Sequence, residues 1–136
     1  MIAVSIVGVL ATLSVAGVTR YVKHARSTEA RSGVARIGKL AVGAYERELG
    51  TTGVLSPGSS AGFQRALCAS STEVPSSLDL VRNRRYQSPA DAWSSGSQHV
   101  GWPCLRFYIS DSQSYQYGYE ATDPTSPSAT FRAYAR

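Results

Sequence analysis

The sequence predicts an α+β chain, a long N-terminal helix packed on a small antiparallel β-sheet. Three observations carry that expectation. No charged residue occurs from Met1 to Thr19, and no proline interrupts Met1 to Ser56. Beyond the charge-free run, apolar residues recur every three or four positions as far as Leu49, the period of one helix face. In the last third the pattern changes to strict alternation, the period of a strand.

The 19 residues Met1 to Thr19 form the first element. As a helix they extend about 28 Å, close to the hydrocarbon thickness of a bilayer. Its polar members, Ser5, Thr12, Ser14 and Thr19, are small and can return their hydroxyls to the helix backbone. Two other readings compete with a membrane anchor. A cleaved signal peptide needs a basic segment ahead of the apolar run, whereas Met1 opens directly into it, although Ala16 and Gly17 are small enough for a cleavage site. A buried core helix needs a head large enough to wrap a helix that is apolar all round, unless other copies of the same helix bury it.

The second element, residues 20–50, continues the helix in amphipathic form. Val34, Ile37, Leu40, Ala41, Ala44, Tyr45 and Leu49 make a stripe, with Arg31, Arg36, Lys39, Glu46 and Arg47 mostly off it. Gly50 stands where a C-terminal cap belongs. This segment carries seven basic and three acidic residues, against seven and six in the remainder, so the net charge of +5 is concentrated next to the apolar run. For a simple anchor, the positive-inside rule would leave such a segment in the cytoplasm. Export of the head therefore calls for a more basic leader ahead of Met1.

Residues 51–136 form the head. Ser56-Pro57-Gly58-Ser59-Ser60 and Ser94-Ser95-Gly96-Ser97 are loop composition. Ala61–Ala69 suits a short helix, and Leu78–Val81 a helical turn or a strand. Leu105, Phe107 and Ile109 alternate with polar neighbours, as do Tyr115, Tyr117 and Tyr119, and Thr130–Ala135 is a third candidate strand. Turn signals at Ser110–Gln113 and Asp123–Pro127 make the three an antiparallel meander whose inner face meets the helix stripe. The three tyrosines are expected to cover that stripe as core, or alternatively to offer a stacking surface.

Cys68 and Cys104 lack the spacing of a zinc site, and His24 and His99 are too scattered to supply one. One disulfide stapling a small exported head is the economical reading, and two independent buried thiols the alternative. No phosphate loop, no Gly-x-Ser-x-Gly and no His–carboxylate cluster is present, so neither an enzyme nor a cofactor is expected. Glu120 and Asp123 are too few for a calcium site. Arg82-Asn83-Arg84-Arg85-Tyr86 is a basic cluster with an aromatic, read first as a solvated loop or subunit contact.

The run Met1-Ile2-Ala3-Val4-Ser5-Ile6-Val7-Gly8-Val9-Leu10-Ala11 resembles the N-terminal segment of type IV pilins and pseudopilins. Tyr21–Ala30 is similar to the stretch that follows it in many of them, and Gly101–Phe107 and Tyr115–Tyr119 resemble, more weakly, the sheets of some pilin-like proteins. The match begins inside the family motif. The resemblance therefore implies residues ahead of Met1: a basic leader ending in a small residue, then a short apolar stretch with a glutamate two positions before Met1. The proline that commonly follows the apolar segment is absent, with Ala16-Gly17 near its place.

The resemblance further implies a structural subunit of a helical filament. Its stem is held in the inner membrane before assembly, with a periplasmic head, and is extracellular after export by pilus or secretion machinery. Ile2, Ile6, Gly8, Leu10, Ala11, Leu13 and Gly17 become the filament-core contacts. Small residues there let helices approach closely. Within the family, a minor pilin or a pseudopilin priming a short filament is the alternative. Because pilin-like proteins include DNA-uptake components, Arg82, Arg84, Arg85 and Tyr86 could also meet nucleic acid phosphates. A signal-anchored binding domain that never polymerises is the reading from another class.

Overall fold

The computed structural model describes residues 2–47, 57–58 and 65–136. Helix α1, Ile2–Glu46, runs unbroken for 45 residues, about 68 Å at the usual rise. Two hydroxyls in its apolar half fold back as the sequence suggests: Thr12 Oγ1 donates to the Val9 carbonyl and Ser14 Oγ to the Leu10 carbonyl, each at 2.8 Å. Arg47 continues the ladder by donating its backbone N–H to Gly43 O at 3.2 Å. Leu49 and the expected Gly50 cap lie outside the described residues.

The rest of the described chain is short elements on a disulfide-tied framework. Two 3₁₀ turns, Leu78–Leu80 and Ala90–Trp93, precede the two-residue strand β1, Gly96–Ser97. Helix α2, Gly101–Leu105, and strands β2, Tyr117–Thr122, and β3, Thr130–Ala135, complete the order. β2 and β3 pair antiparallel, in register from Tyr117 opposite Ala135 to Thr122 opposite Thr130. Their connection is the expected Asp123–Pro127 turn, with Asp123 in the left-handed region at φ 46° and Ser126 N–H donating to Asp123 O at 2.8 Å.

The predicted stripe of α1 is the face that meets the head. Ile37, Ala41 and Ala44 are buried, and Val34, Leu40 and Tyr45 are half-buried. Ile37, Ala41 and Ala44 join Cys68, Val74, Trp93, Trp102, Cys104, Leu105, Phe107, Tyr117 and Tyr119 in one core, with Leu40 packed against it. Trp93 stands edge-on to Trp102 at 5.1 Å and to Phe107 at 5.5 Å, the arrangement that ring quadrupoles favour. Two polar tips in this core reach backbone: Trp102 Nε1 donates to Thr72 O at 2.9 Å and the Tyr119 hydroxyl to Cys68 O at 3.1 Å. Tyr117 and Tyr119 are core, as expected, while Tyr115 sits half-buried before the strand begins.

The three-strand meander needs correction, because Leu105–Ile109 is not a strand. The chain turns tightly between Gly96 and Gly101, both at positive φ, and enters α2 instead. Pro103 lies in the first turn of α2, where a missing N–H costs nothing. Arg106 then closes the helix in the left-handed region at φ 55°, its N–H donating to Trp102 and Pro103 carbonyls. Leu105 and Phe107 are both buried, so the alternation in the sequence reports burial on either side of a backbone reversal.

The segment that lines the free edge of β2 comes from the region read as irregular. Val74 and Tyr117 exchange backbone hydrogen bonds at 2.9 and 2.8 Å, and Ser71 N–H donates to Tyr119 O at 2.9 Å. Serine side chains supply the remaining rungs: Ser71 Oγ accepts from Tyr119 N–H at 3.2 Å and Ser70 Oγ from Ala121 N–H at 3.0 Å. Residues 65–69 are not helical, and Ala69 forms a bridge to Val100. The earlier part of the expected Ala61–Ala69 helix lies outside the described residues. Leu78–Leu80 takes the helical-turn form of its two expected alternatives.

Candidate assembly surface

The described side chains of the apolar half of α1 are exposed. Ile2 is 80% exposed, Leu13 64%, and Ile6, Leu10 and Ala11 are exposed as well. A Cβ placed at Gly8 or Gly17 would meet no atom within 4 Å. All seven residues read from the sequence as helix-packing contacts thus lie on a free surface, and Ile2–Glu46 contains a stretch long and apolar enough to cross a membrane. An exposed apolar surface of this extent marks a candidate interaction face.

The head closes on the second half of α1 and leaves a groove of about 790 Å³ at the junction. Its helix wall includes Val22, Arg26, Glu29, Gly33 and Arg36, and its head wall Arg85, Phe107, Ile109, Asp111 and Tyr117. Glu29 ties the two walls together. One carboxylate oxygen accepts from Ser114 N–H at 2.9 Å, and the other lies 3.5 Å from the Arg85 guanidinium. Arg36 lies over the Phe107 ring at 5.3 Å from its centroid, a cation–π contact.

Tyr117 is fully buried against this wall, and its hydroxyl has no hydrogen-bond partner among the described residues. Burial pushes its pKa up to about 12, with the negative Glu29 and neighbouring Tyr115 adding to the rise. Burial alone lifts Tyr119 to about 12. Tyr134 reaches about 12 through burial first, then through hydrogen bonds to Glu73 and Glu120 at 2.9 and 3.1 Å.

Cys68 and Cys104 form the expected disulfide, with Cα atoms 5.8 Å apart. It joins the segment along the β2 edge to α2, and Arg47 Nη2 donates to Cys104 O at 2.9 Å, tying the end of α1 to the same point.

The basic cluster is shared between two sets of partners rather than held as one free patch. Arg82 pairs with Asp79 at 3.6 Å, and Arg84 donates to the Asp79 carbonyl at 3.0 Å. Arg85 turns to Glu29, and Tyr86 exchanges backbone hydrogen bonds with Gln113. Among the described residues, no group of three metal-ligating side chains is brought together.

No family model, curated protein or solved structure matches the chain. Its surfaces therefore carry the functional argument alone. Sequence reasoning missed the junction residues Glu29, Gly33 and Ser114. Glu29 offered one signal, as the first acidic residue of a basic helical segment. Gly33 and Ser114 offered none, because their partners are set by tertiary packing.

Proposed function

We propose that this protein is the structural subunit of a type IV pilus-like filament, and that its activity is self-assembly through α1. One observation carries the reading: the apolar half of a single continuous helix is exposed all round, while its other half is seated on a disulfide-tied head. Before assembly the bare half resides in the inner membrane, where a helix satisfies its own backbone. During assembly it exchanges lipid for the stems of identical subunits, with Gly8, Ala11 and Gly17 allowing close approach. The heads remain outside as a shell, and pilus or secretion machinery performs the transfer.

Production of the protein with its assembly machinery, followed by electron microscopy of the cell surface, tests this proposal. Fibres that disappear on deletion of the gene support it. A head displayed at the membrane as a monomer, with no fibre under any condition, favours a signal-anchored domain instead.

A further inference from the structure

We infer that Arg20, Tyr21 and Lys23 form a collar on α1 that binds the headgroups of anionic phospholipids where the helix leaves the bilayer. The inference rests on the membrane-resident stage of the function proposed above. The charge-free run ends at Thr19, which places the hydrocarbon boundary there, and Arg20 follows at once. Tyr21 is 74% exposed, an aromatic with an apolar ring and a polar tip at the depth where membrane proteins concentrate such residues. Arg20 and Lys23 are exposed, and no salt bridge among the described residues engages either. The nearest carboxylate along the helix, Glu29, is already paired with Arg85. Tyr21 lines the outer end of the groove under the head, whereas Arg20 and Lys23 are exposed outside it.

Depth makes the assignment specific. At the helical rise, Lys23 lies about 4.5 Å beyond Arg20, Arg26 about 9 Å and Arg31 about 16 Å. The headgroup layer on one side of a bilayer is about 5 to 7 Å deep. Arg20 and Lys23 therefore sit among the phosphates, and Arg26 reaches them only by its side chain. Arg31 stands clear of the layer by about a Debye length at physiological ionic strength. Arg31 is exposed and equally basic, so it serves as an internal control for charge without depth.

The test uses the full chain reconstituted in bilayers of phosphatidylcholine with about a third phosphatidylglycerol, a mixture with negative surface potential. Electron spin resonance with spin-labelled phosphatidylglycerol or phosphatidylcholine reads the lipid motionally restricted by the protein. The restricted fraction should favour phosphatidylglycerol by about fivefold or more, since each cation near the surface is worth about fivefold. Arg20→Gln with Lys23→Gln should bring the two probes to parity and leave restricted phosphatidylcholine unchanged, whereas Arg31→Gln should preserve the preference. Parity in the unmodified protein, or equal losses from the Arg31→Gln and double variants, overturns the collar while leaving the membrane stem intact. Absence of restricted lipid with either probe overturns the stem's membrane residence and the collar with it.

Discussion

The ring of Tyr117 lies against the bare Cα of Gly33. A Cβ built at position 33 would fall 2.5 Å from Tyr117 Cε1 and 2.9 Å from its hydroxyl oxygen. Tyr117 is fully buried in the core beneath α1, so shifting its ring disturbs that packing. The absence of a side chain at Gly33 therefore sets how closely head and helix approach. Replacing a mid-helix glycine by alanine normally gains about 1 kcal/mol of helix propensity. Here overpacking, typically about 1 to 3 kcal/mol, opposes that gain and should exceed it for a ring packed in the core. Gly33→Ala is expected to lower the melting temperature of the head. Gly38→Ala, where the new Cβ meets nothing within 4 Å, is expected to raise it. Near-ultraviolet circular dichroism melts of the two variants check the opposite signs.

The Cys68–Cys104 bridge closes a loop across a sequence separation of 36 residues. On the chain-entropy account a loop of that length stabilises the fold by roughly 3 to 4 kcal/mol. Reduction, or Cys68→Ala with Cys104→Ala, should cost that order of stability and loosen the contact between the β2 edge and α2. Mass spectrometry of non-reduced peptides establishes the pairing in the purified protein. Denaturant unfolding with and without reductant then measures the loss.

High pH should unfold the head through its tyrosines. Tyr117 and Tyr119 have folded-state pKa values of about 12 against an ordinary value of 10.0, chiefly because burial disfavours the charged phenolate. A pKa raised on folding contributes stability that is complete below the unfolded value. It is lost as pH rises toward the folded one. Stability should therefore be level through neutral pH and fall between about pH 10 and pH 12. Phenolate absorbance and circular dichroism recorded together should show buried-tyrosine ionisation coinciding with loss of tertiary signal. Phenylalanine at position 119 removes one of these groups and should soften the alkaline transition, while giving up the hydrogen bond to Cys68 O.

Much of this architecture could be read from residue pattern because it depends on one-dimensional periodicity. The stripe through Ile37, Ala41 and Ala44, the bare run before Thr19, the β2–β3 hairpin and the single cysteine pair are all of that kind. The first of the three expected strands, at Leu105–Ile109, is not a strand. Alternation at Leu105, Phe107 and Ile109 looks like a strand, but the left-handed Arg106 reverses the chain between two buried residues. The β2 edge is filled instead by Ser70, Ser71 and Val74, where side-chain hydroxyls replace backbone rungs and the apolar alternation is lost. The junction was hidden for a related reason. Glu29 meets Ser114 across 85 positions, a separation over which no local pattern carries information.

The stem's glycines separate assembly from folding. Among the described residues, a Cβ at Gly8 or Gly17 meets no atom beyond the adjacent helix backbone, and neither lies in the core, so Gly8→Leu with Gly17→Leu leaves the head's core untouched. If close helix approach holds the fibre, the double variant should reach the membrane at normal levels, melt with an unchanged head transition and yield far fewer filaments. Head melting and filament counts on the same preparation read the two effects independently.

The most direct test of the central claim compares the full chain with a fragment beginning near Lys23, which lacks the bare half of α1 but keeps the stripe of Ile37, Ala41 and Ala44. Size by light scattering and negative-stain microscopy, measured after detergent removal, is the deciding observation. The account predicts self-association of the full chain through its bare stem and a soluble, folded monomer from the fragment. Fibres formed by the fragment would contradict it, because the polymerising surface would then lie on the head and not on the apolar stem.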